Sequence, residues 1–504
     1  MTTPRIGHPG FASRIMSAAQ AAAFIRHDQA VGFSGFTGAG YPKAVSQALV
    51  TRIEAAHARG EPFAIKVWSG ASTGPELDGA LARAKAMSFR WPYNSDPVAR
   101  DQINAGLIDY CDTHLSEVAP MAAEGFFGPL DVAVVEVTAI KPDGALVPST
   151  SVGNNQTWLH LAKQVILEVN SWQNPALEGF HDIWCDDALP PSRVPIPLVR
   201  TDQRIGSPLL TLDPAKVIAV VETNAPDRNT PFKPAEGDCL TIAGHILEFL
   251  GHEVKRGRLP PSLLPLQSGV GNIANAVLTG LAKGPFSDMT AFTEVIQDGM
   301  IDLIDAGKLD VASATALSLS PAYGERLHRE IERYRGKIVL RNEDISNHPE
   351  LIRRLGCIAM NGLIEADIYG NVNSTHVMGS RVQNGIGGSG DFARNGYISI
   401  FMSPSRAKGG AISTVVPQAS HVDHIDQDVQ VLVTEQGLAD LRGLAPKQRA
   451  AKIIATCAHP QFRPALQDYF DRACRDAYGK HSPSLPGEAL SWHQRFIDTG
   501  NMLP

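Results

Sequence analysis

Within the run AFTEVIQDGM, residues 291–300, Glu294 interrupts what is otherwise the pattern of a buried strand. A carboxylate loses favourable hydration on burial, so it needs either water or partners that use its charge. The plain reading is an alternating, half-exposed strand on which Thr293 and Val295 face inward and Glu294 faces solvent. The chemical reading puts it at the carboxyl end of a strand, facing the crevice where open α/β sheets bind ligands. Which of the two holds depends on what else converges there.

Two glycine-rich turns are candidates to converge. QSGVGNIA, residues 267–274, is a strand-to-helix turn of G-x-G-x-x-A form. Its small residues allow close backbone approach, and the N–H groups at the helix start suit an anion or a developing oxyanion. A tight turn with close helix–strand packing would leave the same trace. NGIGGSGDF, residues 384–392, carries four glycines between 385 and 390, a density better suited to amides lining a site than to an ordinary turn. Lys408 in SRAKGG offers a cation for a phosphate, although spacing alone suits a solvated lysine equally. Asn347 in SNHPEL has the position of a helix cap ahead of Pro349. Glu435 in VLVTEQG repeats the Thr-Glu grammar of Glu294 at the end of an apolar run. Arg228 in PDRNT sits in a proposed interdomain connection, where a guanidinium can meet a carboxylate.

The elements that carry these residues repeat along the chain. GAGYPKAV begins at Gly38 and GVGNIANAV at Gly269, 231 residues on; FAIKVWSG and FTEVIQDG are 229 apart, GALVPST and GNVNST 226 apart. Apolar runs such as DVAVVEVTAI (131–140) and KVIAVVET (216–223) alternate with helical patterns such as TWLHLAKQVILEVN (157–170), which predicts sheets flanked by helices. We therefore expect an α/β protein with two similar open α/β domains, 1–222 and 223–504, joined near VETNAPDRNTPFK (221–233). At the 229-residue offset Glu294 falls on Ile65, the apolar residue a strand interior normally carries.

Composition bounds the function. With 504 residues the chain exceeds one compact core, and 43% hydrophobic and 19% charged residues with a mean hydropathy of −0.08 describe a folded globular chain. A net charge of −7 provides no general field for nucleic acid or an anionic membrane. Six cysteines are scattered singly, without C-x-x-C spacing, which argues against a disulfide framework or a zinc site. The 16 histidines form no H-E-x-x-H pattern, so no metal is assigned. No apolar run reaches membrane-helix length and no G-x-S-x-G elbow or P-loop is present, so a cytoplasmic enzyme is expected.

Taken in order, ETNAPDRNTPF, QSGVGNIANAV, AFTEVIQDGMIDLIDAGKL, NEDISNHPELIRRLG, NGIGGSGDFARN and VLVTEQGLADLRGL resemble the acetyl-CoA hydrolase/transferase branch of the class I CoA-transferases. The resemblance covers most of the chain and is densest from Val221 to Gly443. It implies a tandem fold with the active site between the two domains, the second carrying the catalytic glutamate and most of the CoA site. It further implies a homodimer, acyl-CoA and small carboxylates as substrates, coenzyme A as substrate with no permanently bound cofactor, and no nucleic-acid or membrane partner. Glu294 matches the glutamate that becomes a glutamyl-CoA thioester. The amides of Val270 and Gly388 match the oxyanion-stabilising pair. Gly269, Val270, Gly271, Asn272, Ile273, Ile364, Asn384, Gly388 and Lys408 match the CoA path. Asn347 and Glu435 would orient the active carboxylate or its acyl intermediates, and Arg228 would lie near the substrate carboxylate. In GASTG (70–74) Ala71 stands where a hydroxyl-bearing residue is expected, so no polar role falls to it. Within the branch, transfer of CoA from succinyl-CoA to acetate is implied most closely, with acetyl-CoA hydrolysis through the same glutamate as alternative. A dinucleotide-dependent oxidoreductase is a further reading: GVGNIA fits that fingerprint, and Glu294 lies 25 residues after Gly269, where a ribose-binding acid can stand.

Overall fold

The computed structural model describes residues 5–185, 188–229 and 236–503. The end of the expected connection, 230–233, lies outside the described residues. Two compact units result. One takes in the described residues to 229 with Ala291–Ile304 and Asp310–Arg354; the other takes in those from 236 to Thr290 with Asp305–Leu309 and Leu355 onward.

The first unit is built on β1 (Ala30–Phe33), β2 (Ile65–Trp68), β3 (Met87–Trp91), β4 (Asp109–Tyr110), β5 (Val132–Ile140), β6 (Leu146–Pro148), β7 (Gln164–Asn170), β8 (His181–Asp182) and β9 (Val217–Thr223). Its main sheet runs β4-β3-β2-β1-β5-β7-β9, every neighbour parallel, with β6 antiparallel against β5. A parallel strand covered on both faces must be apolar throughout, and β1 and most of β5 are buried. Helix Ala44–Ala58 returns the chain from β1 toward β2 and packs Val45, Leu49 and Ile53 on the core that contains Val31 and Val67. It has no side-chain cap of its own. Instead the carboxylate of Glu168, on β7, accepts the amides of Lys43, Ala44 and Val45 at 2.7, 3.0 and 2.9 Å, satisfying the donors that a helix start leaves open.

β8 pairs in parallel with Ile338–Arg341 and buries His181, whose Nε2–H donates to the Ser149 carbonyl at 2.8 Å. Burial pulls the imidazole from 6.5 down to about 4, against the opposing effect of that hydrogen bond. A depressed histidine contributes stability that is complete above about pH 6.5 and is lost as pH falls toward 4, because the unfolded chain takes up the proton first; the loss is about 3 kcal/mol. His181→Gln keeps the donor and removes the titration. Its urea unfolding midpoint should therefore fall less between pH 7 and pH 4.5 than that of the unsubstituted protein.

The second unit has strands in the order Gly437–Asp440, Val431–Thr434, Ile398–Met402, Ile358–Gly362, Leu266–Ser268; the last four are parallel and the first pairs antiparallel at the edge. Helices Asn272–Lys283 and Ser389–Asn395 connect such strands, as the alternation of apolar runs and helical periods predicts; the helical reading of 157–170, by contrast, holds only as far as Leu161, because the apolar run that follows is buried as β7. Both units are thus α/β, with parallel sheets as their frame.

Candidate functional site

Glu294 does not sit inside a strand. It occupies a bend between Met289–Phe292 and Val295–Ile296, half-buried, while Thr293, Val295 and Gln297 around it are buried. Strand Val295–Ile296 pairs in parallel with Ala316–Leu317, and the Glu294 carbonyl accepts the amides of Thr315 and Ala316 at 2.8 and 3.3 Å. The backbone is pinned, so the side chain's position is set by the fold. Val295 and Ala316 pack in an apolar cluster with Phe36, Ala71, Leu115 and Tyr93. Phe36, Ala71 and Tyr93 follow the carboxyl ends of β1, β2 and β3, so the bend lies over the carboxyl edge of the parallel sheet, where such sheets bind ligands. Ala71 serves that cluster through its methyl group. Burial pushes the Tyr93 hydroxyl up to about 12, and the charges of Asp112 and Glu294 add to the shift, which sets all three within electrostatic reach of one another.

Asn347 is tied to the same edge through a run of backbone contacts. Gly153 N–H donates to Thr315 Oγ1 at 3.0 Å, Glu343 N–H to the Gly153 carbonyl at 3.1 Å, and Asn347 N–H to the Glu343 carbonyl at 3.0 Å. The expected cap ahead of Pro349 is not its role: Asn347 ends helix Glu343–Ser346, and the first bond of the next helix runs from Ile352 N–H to the His348 carbonyl. Its Oδ1 accepts from Ser346 at 2.8 Å, while its fully buried Nδ2 meets no acceptor among the described residues. Buried donors are rarely left so, and one without a protein acceptor suits a ligand oxygen.

Arg228 extends from the segment after β9. Its amide donates to the Gly38 carbonyl at 2.8 Å, and a Cβ on Gly38 would stand 2.3 Å from the Arg228 oxygen, so only glycine admits this approach. The guanidinium is 3.3 Å from Glu76 and lines a cavity of about 430 Å³ with Thr150, Asp227, Asn229, Ser320 and His328.

In the second unit the candidates leave the carboxyl ends of neighbouring parallel strands. Gly269–Ile273 follow Leu266–Ser268; Ile364 follows Ile358–Gly362; Lys408 follows Ile398–Met402; Glu435 follows Val431–Thr434. Gly269 N–H donates to the Met360 carbonyl at 2.9 Å, and Gly271, at φ 148°, leads into helix Asn272–Lys283 with a conformation that side chains disfavour. Val270 is 59% exposed. Gly387, at φ 59°, turns the chain so that Gly388 heads helix Ser389–Asn395. Asn384 bonds the Ser374 carbonyl through Nδ2 at 3.0 Å, and Ile364 N–H bonds the Asn373 carbonyl at 2.8 Å, so both rest on one short segment. Lys408 is exposed, with its ammonium 5.2 Å from the Phe496 ring centroid. Burial opposes ionisation of Glu435, but the Ser405 hydroxyl, Gln436 and, at 2.7 Å, the Ser405 amide outweigh it and hold the carboxyl below its usual range.

Sequence reasoning passed over Tyr93 and Asp112, which lie far from Glu294 along the chain and belong to no motif. Glu343 stood inside NEDISN unremarked; it is fully buried and accepts from Asn154 Nδ2 at 2.8 Å.

Residues 8–222 match the acetyl-CoA hydrolase/transferase N-terminal domain, and residues 324–470 match the C-terminal domain of that name. A succinyl-CoA:acetate CoA-transferase of Clostridium kluyveri is 45% identical over 100% of this chain and 92% of its own. An acetyl-CoA hydrolase of Eremothecium gossypii is 43% identical over 99% and 97%. Among solved structures, RipA from Yersinia pestis superposes with a TM-score of 0.70 at 21% identity, covering 91% of this chain and 97% of that one, a likeness of fold. Both domain matches and the full-length identities place the chain in the acetyl-CoA hydrolase/transferase family of class I CoA-transferases, enzymes that transfer or hydrolyse coenzyme A thioesters.

Proposed function

We propose that the protein moves coenzyme A between small carboxylic acids, from succinyl-CoA to acetate, with Glu294 as the covalent carrier. The observation that carries this reading is the half-buried carboxylate in a pinned bend over the carboxyl edge of a parallel sheet. A Glu294 oxygen attacks the acyl carbonyl, and as the C–S bond breaks CoA leaves as thiolate, giving an acyl-glutamyl anhydride. Thiolate then attacks the glutamyl carbonyl and releases the first acid, leaving glutamyl-CoA. The acceptor acid repeats these steps in reverse order. A carboxylate is needed because only an acyl group that passes between anhydride and thioester keeps the activated bond.

The amides of Val270 and Gly388 donate to the oxyanion of each tetrahedral stage, each worth about 3–4 kcal/mol by analogy with other acyl-transfer sites. Gly269–Ile273, Ile364, Asn384 and Lys408 follow the CoA chain. Asn347, with its unmatched buried Nδ2, and Glu435 orient the active carboxylate or its acyl forms. Arg228 receives the substrate carboxylate at the cavity it lines. A division at 222/223, a homodimer and a cytoplasmic location complete the reading. The six free cysteines suit a reducing compartment, and among the described residues no helix is long and apolar enough to cross a membrane.

Hydrolysis is the second reading, favoured by the acetyl-CoA hydrolases among the relatives. The two part on the acceptor. With succinyl-CoA, transfer requires acetate and yields acetyl-CoA and succinate in equal amounts. Free CoA accumulating at one rate with and without acetate would select hydrolysis.

A further inference from the structure

A turn with four glycines in six residues does not hold its own shape, because glycine constrains the backbone least. What holds 385–388 comes from elsewhere in the second unit. His424 is 2% exposed, and its Nε2 lies 3.2 Å from Ser389 Oγ and 3.2 Å from Ser374 Oγ. The Ser389 hydroxyl hydrogen goes to the Ile386 carbonyl at 2.8 Å, so Ser389 Oγ accepts, and His424 carries its proton on Nε2. Ser374 holds the other end of the turn, its carbonyl accepting Asn384 Nδ2 at 3.0 Å. Both ends of the glycine segment, Asn384 and Ser389, are thereby tied to the Ser374–His424 pair.

The histidine itself is well fixed. Its amide and carbonyl bond Val372 at 3.0 and 2.8 Å, and its ring lies 4.7 Å from that of Phe401. The neighbouring Asp423 anchors Ser374 N–H at 2.6 Å and Thr375 Oγ1 at 2.8 Å. We propose that His424 is a positioning residue: by donating to Ser389, the residue after Gly388, it fixes where the Gly388 amide points. Resting on the reading that this amide faces the reacting acyl oxygen, the inference makes His424 matter to kcat rather than to acyl-CoA binding.

Three variants test it. His424→Phe keeps a ring against Phe401 and loses the donor; His424→Gln places an amide N–H near the position of Nε2; Ser389→Ala removes the acceptor and leaves the histidine in place. His424→Phe and Ser389→Ala should each lower kcat about 10- to 100-fold, the range of small misplacements in an active site, with KM for acyl-CoA changed less than about threefold. His424→Gln should recover most of the loss, and the double variant should be no worse than either single one. Unchanged kcat in Ser389→Ala, equal losses in the Gln and Phe variants, or losses that multiply in the double variant would overturn the inference while the unsubstituted enzyme stays active. An unsubstituted protein without CoA-ester turnover would instead overturn the reading beneath it, and the inference with it.

Discussion

Glu294→Ala abolishes acyl-CoA turnover, with kcat expected to fall by about 10⁴-fold or more, the scale on which enzymes lose a covalent nucleophile. In the proposed mechanism no neighbouring group replaces it, because every bond made and broken involves this one carboxylate. Glu294→Gln should be equally inactive although it fills the same volume. Glu294→Asp keeps the carboxylate but draws it back by one methylene, and a displacement of that size costs about 10²-fold. None of these changes should unfold the protein. The bend is held by the Glu294 carbonyl through Thr315 and Ala316, and the side chain is only half-buried. Steady-state rates with succinyl-CoA and acetate, alongside thermal midpoints, separate lost chemistry from lost fold. Residual activity above about one per cent in Glu294→Ala would mean that another group carries the acyl chain.

The largest effect on stability is expected from Lys43→Met. Lys43 is 4% exposed, and its ammonium lies 2.7 Å from Glu136, itself fully buried, and 2.9 Å from Asp227. Burial alone would lower the lysine, but the two carboxylates override it and hold it protonated. In return Lys43 helps keep Asp227 below its usual range against the effect of burial, whereas burial leaves Glu136 raised to about 7. Removing one partner leaves uncompensated buried charge, which costs about 3–5 kcal/mol. The sign of the pH effect follows. Without the lysine Glu136 rises further above 4.5, and a raised carboxyl is tolerated below 4.5 and destabilises progressively as pH climbs through its folded value. The deficit of Lys43→Met should therefore be largest above pH 7 and shrink toward pH 5. Adding Glu136→Gln to it should recover part of the loss. Urea unfolding at the two pH values measures both effects, and a cost below about 1 kcal/mol at pH 7.5 would contradict them.

That network marks where the sequence stops being informative. Alternating apolar runs and helical periods announce an α/β chain, and the strand-to-helix turns at 38–45 and 267–274 are visible because glycines and apolar periodicity are local signals. Lys43 looks like any residue at the head of a helix, since its partners lie 93 and 184 residues away. Glu294 stands out against its apolar surroundings, yet the bend that presents it depends on pairing with Ala316–Leu317, which no local pattern encodes. Asn347 shows the converse error. Asn two residues before a proline suggests a helix start, but the chain uses it to end the preceding helix, and only the fold reveals its buried Nδ2. His424 belongs to no motif because its partners, Ser374 and Ser389, come from different segments.

Everything proposed for the site depends on a covalent bond to one side chain. The direct measurement is to incubate the enzyme with acyl-CoA in the absence of acceptor, trap any thioester with borohydride or hydroxylamine, and map the modified peptide by mass spectrometry. Modification at Glu294, lost in Glu294→Gln, is the predicted result. An enzyme that turns over once acetate is supplied, yet whose Glu294 peptide stays unmodified in the trapping reaction, would contradict the account.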